Sequence, residues 1–228
     1  MISVVIPTLN EELYLSDILH DLKEQTLKSD EVIVVDAGSE DKTVSIAKKA
    51  GARTLISHIK NAGAQRNQGA RAAKGEWILF VDADIRFPRK DTLERLLAAA
   101  VGAVAARPFT TLPREKRTWL YAIFVAPANV TARLFPAYTT RGGCLLIRKS
   151  VFLQAGGFNE KMVVAEDLDL GPRLRKFGKV ALAKEYVYES DRRYKKLGYA
   201  HVVFDWWLNG IWTRLFGRSF HQFWKPVR

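Results

Sequence analysis

Along the first hundred positions, short apolar runs alternate with longer amphipathic stretches. The runs cover 2–7, 31–36, 53–56 and 77–82, and the stretches between them predict helices over 13–25, 41–50 and 63–73. Glu31-Val32-Ile33-Val34-Val35-Asp36 and Trp77-Ile78-Leu79-Phe80-Val81-Asp82 lack period-two alternation. Such runs are expected of strands covered on both faces in a parallel sheet. Ser39 before Glu40-Asp41 marks a helix start, because its hydroxyl can cap free amides and the acids suit the positive end of the helix dipole. The succession predicts an α/β fold built from βαβ units. After Asp84 the pattern loosens. A helix over 91–101, a strand over 102–107, an aromatic-rich helical stretch over 116–135 interrupted at Pro127, a strand over 143–147 and helices over 149–155 and 166–176 follow. Nothing is assigned between 177 and 189, and from Ser190 onward the chain reads as one or two amphipathic helices. With no internal repeat or linker, the expected division is an α/β body over 1–189 and a helical tail over 190–228.

The length of 228 residues, 48% of them apolar and 26% charged, suits one domain with a sizeable core and excludes disordered or collagenous chains. The lone Cys144 cannot form an internal disulfide and reads as a small buried residue rather than a nucleophile. The opening Met1-Ile2-Ser3-Val4-Val5-Ile6-Pro7 lacks a basic leader and is expected to be a strand, not a signal peptide. The net charge of +12 is unevenly placed, since residues 171–228 hold 13 Lys/Arg against 4 Asp/Glu and residues 1–170 hold 23 against 20. That last quarter also contains Trp206, Trp207, Trp212 and Trp224, and a basic segment rich in tryptophan suits a membrane interface. From Val202 to Phe216 a helix would extend about 22 Å, short of the roughly 30 Å hydrocarbon core, and Asp205 and Arg214 interrupt it. Phe204, Trp207, Leu208, Ile211, Leu215 and Phe216 fall on one side of that helix, flanked by Lys195, Lys196, Arg218, Lys225 and Arg228. Either this helix lies among lipid headgroups or it docks on the body.

Ligands of open parallel sheets bind beyond the carboxyl ends of the strands, and three ends are suggestive. The first runs into Pro7-Thr8-Leu9-Asn10-Glu11-Glu12, the second ends at Asp36, and the fourth at Asp82-Ala83-Asp84. Asp36 either binds a ligand or caps the next helix. Two carboxylates at i and i+2 past a buried strand can converge on one hard cation, Mg²⁺ or Mn²⁺, whose shell is completed by diphosphate oxygens and water. Such an ion neutralises a nucleotide diphosphate leaving group.

At this point the chain resembles the family 2 glycosyltransferases of GT-A fold, a Rossmann-like, mostly parallel sheet flanked by helices. The likeness is carried by Val5-Ile6-Pro7-Thr8-Leu9-Asn10-Glu11, Val34-Val35-Asp36-Ala37-Gly38-Ser39-Glu40-Asp41-Lys42-Thr43, Gln65-Arg66-Asn67-Gln68-Gly69 and Phe80-Val81-Asp82-Ala83-Asp84, in the family's order. It implies that Pro7, Thr8, Asn10, Glu11 and Asp36 hold the nucleoside, that Arg66 lies near base or phosphates, that Asp82 contacts the ribose or the metal with Ala83 beside it, and that Asp84 binds the metal. Farther on come Gly142-Gly143-Cys144, Gly156-Gly157-Phe158 and Ala165-Glu166-Asp167-Leu168-Asp169. The resemblance makes Asp167, paired with Glu166, the base that takes the acceptor's proton, which inverting transfer requires; on their own the two acids would equally open a helix. Gly142 and Gly143 either bring backbone near sugar and acceptor or form a turn. Ser190-Asp191-Arg192-Arg193-Tyr194 partly resembles the Gln-x-x-Arg-Trp motif of cellulose-synthase-like members, with Asp191 for Gln and Tyr194 for Trp, and Ala165 stands where those enzymes carry Thr. On that likeness Arg192 or Arg193 contacts diphosphate and Tyr194 stacks near the acceptor; the alternative is a solvated basic turn. His201 either reaches the metal or lies on the surface.

The expectation is therefore a metal-dependent, inverting glycosyltransferase using Mn²⁺ or Mg²⁺ and a nucleotide-diphosphate sugar of the GDP-mannose or UDP-glucose type. Its acceptor is expected to be lipid-linked, such as dolichyl or polyprenyl phosphate or its glycan. It would work peripherally at the cytoplasmic membrane face, with no nucleic acid partner. A sugar-1-phosphate nucleotidyltransferase is disfavoured because the first turn is acidic rather than basic and glycine-rich. A non-catalytic basic module binding membrane or RNA is disfavoured because it has no need of carboxylates at strand ends.

Overall fold

A computed structural model describes residues 1–124, 126–134, 137 and 143–220. Seven strands form one sheet: β1 (Ile2–Thr8), β2 (Glu31–Asp36), β3 (Arg53–Ile56), β4 (Trp77–Val81), β5 (Ala105–Thr111), β6 (Cys144–Arg148) and β7 (Val180–Tyr188). Their order is β3-β2-β1-β4-β6-β5-β7, and only β6 opposes its neighbours. The chain moves outward from β1 to β3 and then returns to place β4 on the other flank of β1. The resulting switch point lies at the carboxyl ends of β1 and β4, where α/β sheets bind ligands. Because β6 runs backwards, the start of that strand reaches the same edge.

Alternate residues of the central strands enter separate cores. Val4, Ile6, Leu79 and Val81 pack with Leu15, Ile18 and Leu22 of α1 (Leu15–Lys23) and with Leu93 and Leu96 of α4 (Thr92–Ala99). Val5, Ile33, Ile78 and Phe80 pack against α3 (Ala62–Ala72), α7 (Lys149–Gln154) and α8 (Glu166–Leu174). Within this second core Phe80 meets Phe152 and Phe158 at centroid distances of 4.9 and 5.2 Å. Gly69 permits the close seat of α3, since a Cβ there would lie 2.3 Å from Val5 Cγ1 and 3.1 Å from Val35 Cγ2. The short α2 (Thr43–Lys49) links β2 to β3.

Several expected boundaries shift for physical reasons. The fifth strand was expected to end at 107 and instead runs to Thr111, because the pairing of β5 with β7 is irregular between Arg107 and Phe109 and so accommodates Pro108. The expected helical stretch over 116–135 is divided into a 3₁₀ turn (Arg114–Lys116), α5 (Trp119–Phe124) and α6 (Ala126–Leu134). Pro127 falls in the first turn of α6, where its missing N–H is tolerated. The strand β7 was not anticipated. Lys184 and Glu185 break its apolar run, yet Glu185 is buried, with Arg89 and Arg95 within 3.6 and 3.3 Å of its Oε2.

The tail forms α9 (Arg192–Leu197) and α10 (Tyr199–Phe216), joined at Gly198 with φ of 82°. Tyr194 and Val202 enclose a third, small core with Leu112 and Tyr121. Phe204, Trp207, Ile211, Leu215 and Phe216 are exposed, whereas Asn209 and Thr213 are buried. From Phe204 onward the helix thus exposes five large apolar side chains while burying Asn209 and Thr213, and its first turn docks Val202 in the third core. Among the described residues no helix is long and apolar enough to cross a membrane. Trp224, Lys225 and Arg228 lie outside the described residues.

Candidate active site

Turn chemistry at the end of β2 fixes the first wall of the site. Asp36 is fully buried, and its carboxylate accepts from the N–H groups of Gly38 and Ser39 at 2.9 and 2.7 Å and from the Ser39 hydroxyl. Thr8, opposite Asp36 in the ladder, donates to the same carboxylate at 3.1 Å. Asn10 takes a positive φ of 54°, from which its N–H donates to Ser39 Oγ and its Oδ1 accepts from the Glu40 N–H. The Glu11 N–H donates to Thr43 Oγ1 at 2.7 Å. Pro7 remains in β1 beside Val35, beyond the last residue paired with β4, so its missing donor interrupts nothing on that side.

A second cluster forms around α3. Asn61 caps this helix by accepting from the Ala64 N–H. Gln65 donates to the carbonyls of Thr8 and Val35 at 2.8 and 2.6 Å, tying the ends of β1 and β2 together. Asn67 donates to the Phe158 carbonyl and accepts from the Phe158 N–H, both at 2.8 Å. Gly157, with φ of 67°, allows that approach: a Cβ there would meet Asn67 Oδ1 at 2.6 Å. Arg66 is almost fully buried and donates at 2.6 Å to both Asp82 Oδ1 and Glu166 Oε1, with its guanidinium 5.3 Å from the Phe158 ring centroid. Burial opposes the charge on Arg66, but the two carboxylates hold it firmly protonated. One arginine therefore joins the end of β4 to the first turn of α8.

The third cluster crosses 181 positions of sequence: Arg192, the first residue of α9, donates to both carboxylate oxygens of Glu11 at 2.8 and 2.9 Å. Its Nη2 also lies 3.1 Å from Asp84 Oδ2, and its guanidinium rests 4.8 Å from the Tyr14 ring centroid. Burial pushes the Asp84 carboxyl up to about 7, and the neighbouring acids Asp82, Glu11 and Glu189 reinforce the shift against the opposing pull of Arg192. Arg193 is pushed down to about 10 by burial and by repulsion from Arg192.

Asp82 and Asp84 thus each carry their own arginine, Arg66 and Arg192. Ala83 between them is buried. Gly143 faces this pair: its carbonyl accepts from the Asp82 N–H at 3.0 Å, and a Cβ on it would lie 3.6 Å from Asp82 Oδ2. Gly142 lies outside the described residues. Among the described residues no group of three or more His, Cys, Asp and Glu side chains is placed to hold a metal. Still, the donor set suits a hard divalent cation that diphosphate oxygens help to coordinate: a half-buried carboxylate pair at a strand end, in surroundings where acids outnumber the cations facing them. Asp167 is half-buried on the first turn of α8 beside Glu166, with the Leu168 N–H donating to it at 2.8 Å. Ala165 before them is left-handed, with φ of 63°.

One expected placement differs, that of Tyr194, while His201 takes the surface position that was one of its two alternatives. Tyr194 is 3% exposed, stacked on Tyr199 at 4.8 Å and donating to Glu189, so its ring belongs to the third core. His201 is exposed and lies 3.4 Å from Asp205, its neighbour one turn on. Glu189, at the end of β7 and facing Asp84, was missed together with its strand. Gln65 and Asn67 were quoted within a motif but given no role; at i and i+2 they leave α3 on different sides, Gln65 toward β1 and β2 and Asn67 toward Phe158.

An uncharacterised glycosyltransferase of Haemophilus influenzae is 29% identical over 74% of this chain and 60% of its own length, so the chain spans less than two thirds of that relative. The O-antigen chain rhamnosyltransferase RfbN of Salmonella typhimurium is 26% identical over 90% of this chain and 74% of its own. The mannosyltransferase PcManGT of Pyrobaculum calidifontis, solved with GDP-Man and Mn²⁺, shares the fold with a TM-score of 0.67 at 21% identity, over 94% of this chain and 61% of its own. The model of the family described as Glycosyl transferase family 2 matches residues 3–154, two thirds of the sequence and every motif from β1 through α7, and the chain belongs to that family.

Proposed function

We propose that the protein transfers a sugar with inversion from a nucleotide-diphosphate sugar, of the GDP-mannose or UDP-glucose type, to a lipid-linked acceptor at the cytoplasmic face of a membrane. The observation that carries the reading is the meeting of Glu11, Asp82, Asp84, Arg66, Glu166 and Arg192 at the carboxyl ends of β1 and β4. The nucleoside lies against Thr8, Asn10 and Glu11, above the turn that Asp36 holds rigid. A divalent cation, Mn²⁺ or Mg²⁺, held by Asp84 and Asp82 neutralises the diphosphate when bound, in keeping with the Mn²⁺ in PcManGT. Arg193, half-buried next to Arg192, adds charge on the leaving-group side. Asp167 accepts the proton of the acceptor hydroxyl as that oxygen attacks the anomeric carbon from the side opposite the diphosphate. A phosphate acceptor is already ionised and draws little on this base.

The outward apolar face of α10 supports the membrane part of the reading. Trp119 and Ile123 of α5 are exposed as well, and α5 packs against α10. Arg114, Lys116, Arg117, Lys195, Lys196, Arg214 and Arg218 are exposed around them. Apolar side chains rimmed by arginine and lysine suit an anionic lipid surface.

Calorimetry with UDP-, GDP- and dTDP-sugars, with Mn²⁺ or EDTA, tests the donor site. Binding is expected only with the metal and is expected to be lost in Asp84→Ala; equal affinity in EDTA overturns the metal role. Asp167→Asn is expected to keep donor affinity while turnover onto a hydroxyl acceptor falls by roughly 10²-fold or more. An Asp167→Asn variant as active as the parent on such an acceptor places the base elsewhere.

A further inference from the structure

A cation at the start of a helix is unfavourable for the dipole, yet Arg192 opens α9 and points into the donor site. Its partners explain its position. Glu11 comes from the loop after β1 and Asp84 from the turn after β4, and the guanidinium lies between their carboxylates at 2.8 to 3.1 Å. All three side chains are largely buried, with 15–20% of each exposed. Leaving two such carboxylates together without a counter-charge is costly, and removing one partner of a buried ion pair is more costly still.

Given the reading of Asp84 as a cation ligand, we propose that Arg192 is the resident counter-ion of this position and competes with the divalent cation for Asp84, so that metal and nucleotide enter together. A metal ion arriving alone must displace the guanidinium, leaving a half-buried arginine with Glu11 as its sole carboxylate partner. An ion arriving with a nucleoside diphosphate brings phosphate oxygens, and these accept from the displaced guanidinium in the bidentate geometry that arginine favours. Arg192 is thereby a positioning residue with two alternating sets of partners, carboxylates before donor binding and phosphates after it. Metal and nucleotide affinities become positively coupled, and by linkage the coupling is the same in both directions.

The test is the binding of Mn²⁺ alone to the full chain, followed by its paramagnetic resonance signal or by calorimetry, and then repeated with UDP and GDP. Arg192→Gln is expected to bind Mn²⁺ alone about tenfold more tightly than the parent, while the enhancement of Mn²⁺ binding by nucleotide, expected at 5- to 150-fold in the parent, shrinks several-fold. The gain is expected to vanish in Arg192→Gln combined with Asp84→Asn. Arg192→Lys keeps the charge but cannot fork between two carboxylates, and is expected to fall between parent and Arg192→Gln, which provides an independent reading should the glutamine variant fold poorly. Metal affinity that is unchanged or weakened in both single variants overturns the proposal. A gain in Mn²⁺ affinity with no nucleotide binding in any variant sustains the role of Arg192 while overturning the donor reading.

Discussion

The donor half, up to the end of β5, and the C-terminal half beyond it handle polar and apolar groups differently. In the first, the buried polar side chains around the site are bonded to one another or to backbone: Thr8 to Asp36, Asp36 to its own turn, Gln65 to two strand ends, Arg66 through both Nη atoms to Asp82 and Glu166; away from these bonds Thr54 Oγ1 and Arg66 Nε have no hydrogen-bond partner among the described residues. In the second, α10 buries Asn209 and Thr213, and among the described residues Asn209 Oδ1 and Thr213 Oγ1 have no hydrogen-bond partner. The same helix exposes Phe204, Trp207, Ile211, Leu215 and Phe216. A satisfied polar network is rigid and specifies one geometry, as nucleotide recognition requires. A helix that leaves large apolar side chains outward has that face uncovered among the described residues.

The widest separation between the halves is expected with liposomes. The protein should co-sediment with anionic vesicles, and replacing Trp207, Ile211 and Phe216 together by Ser should reduce sedimentation several-fold with cooperative unfolding retained, because all three side chains are more than a third exposed. Salt should weaken the parent's binding without abolishing it, since charge attraction is screened and apolar burial is not. A triple variant that loses cooperative unfolding, alongside a parent that ignores vesicles, would place these residues in a core and dissolve the contrast.

Two helix glycines sharpen the comparison on the stability axis. Gly69 in α3 has Val5 Cγ1 at 2.3 Å from a would-be Cβ, whereas Gly210 in α10 has only Leu168 Cδ1 at 3.5 Å, an ordinary contact. Overpacking costs about 1–3 kcal/mol, and an unobstructed Gly→Ala in a helix contributes about 1 kcal/mol of stability. Gly69→Ala is therefore expected to lower Tm by several degrees and Gly210→Ala to raise it by about 2–4 °C. Equal responses in thermal melts would mean that α10 packs as tightly as α3.

The donor half was legible because its signals are local. Continuous apolar runs mark β1, β2 and β4, and the acids and turn residues that follow each run sit at the sheet edge by construction. The Asp36 turn closes within three residues, so its residue types announce it. What stayed hidden depends on distant partners. Glu185 is tolerated in β7 because Arg89 and Arg95 of another element approach it. The Glu11–Arg192 pair spans nearly the whole chain, and no spacing rule connects such residues. Tyr194 follows two arginines in a motif-like segment, yet the local sequence does not reveal that Tyr199 and Glu189 will hold its ring inside.

The smallest expected effect bears most directly on the unsatisfied polar groups. Thr92 and Thr213 are both buried helical threonines, at 0% and 6% exposure, and valine matches either in shape. Thr92 Oγ1 donates to the Arg89 carbonyl at 3.1 Å, in the loop that leads into α4. Replacing it removes that bond, while the carbonyl still accepts from Gln25 Nε2 at 2.9 Å, a loss of about 0.5–1.5 kcal/mol. Thr213 Oγ1 has already given up its hydration with no partner among the described residues, so Thr213→Val removes a cost rather than a bond. It is expected to be neutral or stabilising by up to about 1 kcal/mol. Urea unfolding of the two variants measures the difference. Should Thr213→Val be the more damaging one, the hydroxyl has a partner after all, and the inward face of α10 would be as well satisfied as the donor half.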